Sequence, residues 1–197
     1  MNAINRVTCT FLVLVFAGCQ DTEVAPVYPL PHGTATISDS AIYFSQTQSY
    51  RSLREFSFAR SSVVPFLGNM FDTSCDLIAT FMVNGQTNTA RSLLLSPGDT
   101  LNRPPFYLIC FSSSSQDAAT AFQNLMVAPE SGYVIVADTI LTNQVWVIQT
   151  QSRKFAKILI RAVTFTPLTV QAPSDTFSTE VTFEWVFQPN GSRSFKP

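Results

Sequence analysis

Residues able to carry chemistry are few in this chain, and their spacing is poor. The one histidine, His32, sits in Pro29-Leu30-Pro31-His32-Gly33, where nothing in the sequence holds a nucleophile beside its imidazole. A hydrolytic triad needs a histidine to move the proton, so that class is unsupported. The four cysteines are Cys9, Cys19, Cys75 and Cys110, none with the ligand-spaced partners of a zinc site; no metal site is expected. Phosphate-cradling glycine loops and a G-x-S-x-G elbow are missing. Glu180 and Glu184 flank Thr182 on one face of a strand-like run. A glycosidase could use such a pair, but the spacing more often marks a strand's solvent face. Met70, Met82 and Met126 are thioethers of the kind that bind a soft metal or haem iron, although a lone methionine usually fills a core. Met126 is the weak candidate, because it flanks a loop. The expectation is a protein that is not an enzyme, with no catalytic residue and no certain cofactor.

The strongest local signal concerns location. Arg6 precedes the short apolar run Phe11–Phe16, and Ala17-Gly18 supply small residues before Cys19. Such a run is too short to span a membrane, which takes about 20 apolar residues, and reads as a secretory signal. Ala-Gly-Cys resembles the lipobox of bacterial lipoproteins, in which the cysteine is lipidated and becomes the mature N-terminus. Phe16 departs from the leucine usual at that position. The reading is therefore a signal peptide over 1–18 and lipidated Cys19. A flexible, proline-rich tether follows over 19–33, then a single domain over 34–197. Gln20-Asp21-Thr22-Glu23 resembles acidic export signals of lipoproteins sent to the outer surface.

Composition narrows the classes further. Twelve Lys and Arg stand against thirteen Asp and Glu, and charged residues make up 13% of the chain, well below the roughly 25% usual for soluble domains. Such a balance provides no basic surface for nucleic acid. With Cys9 removed and Cys19 acylated, Cys75 and Cys110 remain in an oxidising compartment. A disulfide between them and two separate buried thiols are both open readings.

From Thr34 onward the pattern is mostly period two. Leu77, Ala79, Phe81 and Val83 alternate with Asp76, Ile78, Thr80 and Met82, and Asn84-Gly85 follows as a tight-turn pair. Ala156, Ile158, Ile160 and Ala162 alternate with Lys157, Leu159 and Arg161, describing a half-buried strand. Val181, Phe183, Trp185 and Phe187 form a strongly aromatic strand face opposite Thr182, Glu184 and Val186. The continuous apolar runs Phe106–Phe111 and Val145–Ile148 suit central strands covered on both faces. One helix is expected, capped by Ser115 and running to Met126, with Ala118, Phe122, Leu125 and Met126 on its apolar face and Pro129 closing it. The fold class is all-β, mostly antiparallel, with one or two short helices.

The order of these segments resembles the HmuY family of bacterial haem-binding surface lipoproteins. Leu141–Ile148 followed by Lys154–Ile160 is similar to that family's paired strands. Val181–Gly191, reading VTFEWVFQPNG, is similar to its closing strand. Phe122–Pro129 is similar to its segment ending Glu-Ala-Pro, and Cys75-Asp76-Leu77-Ile78-Ala79 resembles its Trp-Asp-Ile-Ala strand. The resemblance implies an all-β fold with a few short helices and an outer-membrane or cell-surface location. It also implies capture of haem for transfer, with a TonB-dependent receptor as partner. Two departures stand out: Cys75 replaces the family's tryptophan, and Glu130–Thr142, where haem-binding members carry axial His or Met, contains neither. A roomy apolar pocket around residues 126–142 would keep haem in play. The alternative is a structural or interaction lipoprotein of the envelope that holds a protein or glycan through an aromatic patch around Trp146 and Trp185. Replacing Cys19 with Ser is expected to move the chain from the membrane fraction to the soluble fraction, as read by fractionation and immunoblotting.

Overall fold

The computed structural model describes residues 30–44, 47–65, 75–84, 89–97, 103–171 and 174–196. Residues 1–18, Cys19, the acidic segment Gln20–Glu23 and Met70 lie outside these. In chain order come β1 (His32–Phe44), β2 (Thr47–Ser57), β3 (Ser62–Pro65), β4 (Ile78–Asn84), β5 (Thr89–Leu95) and β6 (Phe106–Phe111). Helix α1 (Ser115–Asn124) follows, then β7 (Gln144–Gln149), β8 (Phe155–Gln171) and β9 (Ser174–Gln188). Seven strands form one sheet in the order β3-β2-β1-β9-β8-β7-β6, while β4 and β5 pair separately. All these pairings are antiparallel. The chain is all-β with a single short helix among the described residues. No helix among them is long and apolar enough to cross a membrane.

The aromatic alternation of β9 explains the centre of the sheet. Phe183 stands opposite Ile160 of β8 and Ala35 of β1, and Trp185 opposite Ile158 and Gly33. Bulk on β9 is matched by small residues on β1. A Cβ on Gly33 would lie 3.3 Å from the Trp185 ring, so the glycine makes room for the indole. Phe56 of β2 meets Phe183 edge-on at 5.4 Å, and Phe58 stacks on Phe187 at 5.8 Å. Offset and edge-on rings add roughly 0.5–1.5 kcal/mol per pair beyond burial. The β4–β5 hairpin covers this face, contributing Ala79 and Leu94 to the same core as Leu77, Ile37 and Trp146.

The opposite face is covered too, which corrects the expectation of a half-buried β8. Phe155 to Ile160 are all buried, because α1 packs Ala118 and Phe122 over Val145 and Leu159. Beside them Phe195 and Ala128 close over Val147 and Phe155. Strand β7 is central, as its continuous apolar run predicts. Strand β6 is not: with β3 it is one of the sheet's two edges, and Leu108 is 41% and Phe111 56% exposed.

Smaller corrections follow from pairing geometry. The helix is capped by Ser114 rather than Ser115; its hydroxyl accepts from the Asp117 N–H at 3.3 Å, and α1 ends at Asn124. Asn84 pairs with Thr89 and so belongs to β4, while Gly85 of the expected turn pair lies outside the described residues. His32 and Gly33, expected in the tether, open β1 and pair with Val186 and Trp185. Cys75 and Cys110 are not joined and remain thiols. Cys75 packs with Leu53, Val64 and Ile78, whereas Cys110 lies on β6 in the cluster beneath α1.

Where the aromatic layer ends, polar groups lock hairpin to sheet. Asp39 of β1 is fully buried and accepts two hydrogen bonds from Arg51, at 3.0 and 2.7 Å. Thr80 of β4 donates to Asp39 at 2.7 Å and accepts from Arg51 at 2.8 Å. Ser92 and Thr179 share a further hydrogen bond of 2.6 Å between β5 and β9. Removing a buried carboxylate strands its donors. Asp39→Ala is expected to lower the unfolding free energy by roughly 2–4 kcal/mol, with the urea m-value unchanged, as measured by equilibrium denaturation.

Candidate functional site

The segment between α1 and β7 ties the two sheets together and leaves a groove beside them. Phe106 and Val134 exchange backbone hydrogen bonds at 3.0 and 2.7 Å, and Leu94 and Ala137 do so at 3.0 and 3.2 Å. The segment therefore runs from the β6 edge to β5. Beside it opens a groove of about 720 Å³ lined by Tyr107, Leu108, Ser131, Gly132, Val134, Val136, Asp138 and Trp146. This size suits a drug-sized or cofactor-sized ligand. Ser131, Gly132, Val134, Val136 and Asp138 of the groove's lining fall in the 126–142 region the sequence singles out.

Each wall has a local cause. Gly132 has φ +89°, and a Cβ there would sit 3.0 Å from the Tyr107 ring. Only glycine satisfies both the backbone conformation and the close approach. Tyr107 meets Tyr133 edge-on at 5.6 Å. The Tyr133 hydroxyl donates to the Pro129 carbonyl at 3.0 Å, and burial pushes its pKa up to about 12. Leu108 and Val134 present apolar surface to solvent, 41% and 47% exposed. At the polar end Asp138 pairs with Arg91 at 3.0 Å, both about half exposed. The walls are thus mainly apolar and aromatic, with the Tyr107 and Ser131 hydroxyls and the Asp138 carboxylate as their polar side-chain groups.

The sequence-selected residues are mostly elsewhere. Met126 is 42% exposed just beyond α1, where its carbonyl accepts from the Phe195 N–H at 2.8 Å; it does not line the groove. Met82 is exposed, and its sulfur accepts from Arg91 at 3.5 Å. His32 is exposed at the start of β1, with Nδ1 2.9 Å from the Leu30 carbonyl oxygen. Glu184 is engaged by Arg161 at 2.8 Å and Glu180 is exposed. Trp146 and Trp185, 4% and 5% exposed, are core residues, which removes the aromatic patch around them. Among the described residues no group of three or more His, Cys, Asp or Glu could hold a metal ion.

What the local pattern missed is the β6 wall of Tyr107 and Leu108. A signal was present in Arg103-Pro104-Pro105, since prolines lack the N–H a central strand must donate and favour edges and strand starts. The sequence matches no protein-family model and no curated protein.

One buried cation holds α1, and so the rear of the groove-bearing sheet, in place. Lys157 of β8 is 5% exposed. Its ammonium donates to the Phe122 and Leu125 carbonyls at 2.7 and 2.9 Å and lies over the Phe122 and Phe195 rings at 4.9 and 5.5 Å. A cation at a helix C-terminus satisfies end carbonyls and complements the dipole. Burial holds its pKa below the usual 10.5. Between that lowered value and 10.5 the unfolded chain binds more protons than the folded one, so this group makes stability rise with pH there. Lys157→Met is expected to cost roughly 1–3 kcal/mol at neutral pH and to abolish that alkaline rise, as measured by urea denaturation across the pH series.

Proposed function

We propose that this chain is an exported, lipid-anchored, HmuY-like binding protein that captures a flat hydrophobic ligand, haem or a related molecule, at the outer membrane or cell surface. The observation that carries the reading is the groove between the β6 edge and residues 131–138, with its apolar walls and few polar groups. The signal run, Cys19 and the order of the strand motifs support the location and the family likeness. Capture suits these groups better than catalysis: Glu184 is consumed by Arg161, and His32 lies outside the groove lining. A TonB-dependent receptor would be the partner that takes the ligand onward.

The walls fit a macrocycle better than the donors fit its iron. No imidazole or thioether lines the groove; its metal-donor side chains are the Tyr107 phenol and the Asp138 carboxylate, the latter paired with Arg91. Haem iron usually takes His, Met, Cys or Tyr as an axial ligand. Recognition here would therefore rest on ring contacts with Tyr107, Leu108, Val134 and Val136.

A second reading, an envelope protein that binds another protein or a glycan, draws support from the β6 edge beyond the Phe106–Val134 bridge. Leu108 and Phe111 are both substantially exposed there, and an open strand edge accepts an added strand. Titration of the purified chain with haemin and with metal-free protoporphyrin, followed by absorbance, separates the readings. Micromolar binding of both, lost in Leu108→Asp and Val134→Asp, is expected. No shift of the Soret band with either compound would refute ring capture and leave the edge reading.

A further inference from the structure

A second cleft lies beyond the groove, at the turn joining β7 to β8. It is small, about 40 Å³, and lined by Ser96, Pro97, Arg103, Gln149, Thr150, Gln151 and Arg153. The turn is tightly built. Thr150 N–H donates to the Lys154 carbonyl at 2.8 Å, and Arg153 N–H to the Thr150 carbonyl at 2.9 Å. The Thr150 hydroxyl accepts from Lys154 N–H at 3.2 Å. Gln149 N–H donates to the Pro105 carbonyl at 2.8 Å, which fixes the Arg103-Pro104-Pro105 run beside β7.

Three features of this cleft bear on what it could hold. Ser96, 5% exposed as a residue, turns part of its surface into the cleft. Arg153 takes the left-handed backbone, φ +61°, that a short hairpin turn requires where it closes. Finally, Arg51, Arg91, Arg161 and Arg193 each pair with a carboxylate. Arg103 and Arg153, like Arg54 and Arg60, have no ion-pair partner among the described residues, and no carboxylate is among the described residues that line the cleft.

We propose that Ser96, Arg103 and Arg153 form a binding site for one small oxyanion, a phosphate or sulfate group. Two guanidinium groups bring positive charge and several N–H donors, and guanidinium geometry matches oxyanion oxygens. The Ser96 hydroxyl, from a lining residue, supplies a further donor. The cleft is too small for more than one such group, so the rest of any larger ligand stays outside. The anion is either free in solution or an ester on a carbohydrate or lipid headgroup. The site shares no lining residue with the groove, so it stands or falls independently of ring capture.

The test is calorimetric titration of the purified full chain, in dilute chloride buffer, with inorganic phosphate, inorganic sulfate and glucose 6-phosphate. Saturable one-site binding of at least one is expected. Arg103→Gln and Arg153→Gly should each weaken it about tenfold or more, the scale of a lost charge-assisted hydrogen bond. Arg153→Gly keeps the left-handed backbone accessible, so the variant removes charge without straining the turn, and circular dichroism verifies its fold. Ser96→Ala should weaken binding severalfold. Tighter binding of the sugar phosphate identifies an ester ligand, and tighter binding of phosphate or sulfate a free ion. Absence of saturable binding at millimolar anion, or equal binding by the Arg103→Gln/Arg153→Gly double variant, overturns the assignment.

Discussion

The packing of the β9 aromatic face is the constraint from which the rest of this structure follows. Phe183, Trp185 and Phe187 project from one side of a strand that sits between β1 and β8. Rings of that size need small residues beside them and further rings above them. Gly33 and Ala35 meet the first need, and Phe56 and Phe58 the second. Because Phe56 and Phe58 lie at and just beyond the end of β2, their ring contacts fix where that end sits against β9. Backbone bonds from Phe56 to Leu77, at 2.9 and 3.1 Å, then bring in the chain that leads to the β4–β5 hairpin. The cover of the core and the core itself are one set of contacts.

The arrangement carries a cost on its other side. The strand face that α1 covers includes a polar side chain, Lys157. Its charge is satisfied by helix-end carbonyls and two ring faces rather than by a carboxylate. Asp39 solves the matching problem on the hairpin side with Arg51 and Thr80. Trp185 illustrates what remains: its Nε1 is a buried donor without a partner, a cost accepted for the area its ring buries.

Much of the fold was legible because strand alternation is a short-range property. The faces of β9 and the identity of β7 as a central strand could be read directly, and the helix was displaced by only one residue at its cap. The errors share a cause. Phe106–Phe111 and Val145–Ile148 look alike as apolar runs, yet one is an edge and the other central. Ala156–Ala162 alternates like a half-exposed strand, and α1 buries its polar side. In each case the deciding neighbour lies far away in sequence. The site was less legible still. Residues 126–142 marked the region of the groove, but Tyr107 and Leu108 come from a strand whose exposure the local pattern concealed, and Met126 points to neither wall.

By itself, then, the sequence determined that this chain forms antiparallel strands with one aromatic face and one amphipathic helix. Those outcomes depend on residue size, branching and period within a few positions. Tertiary structure alone decided which strand became the edge, which cysteines stay apart, and where Tyr107, Gly132 and Val134 meet to make a groove. Ser96, Arg103 and Arg153 likewise converge only after β5, the Pro104-Pro105 run and the β7–β8 turn have been packed together. The reason is physical: a strand's side chains choose a face locally, but what covers that face is set by pairing and packing over long sequence separations.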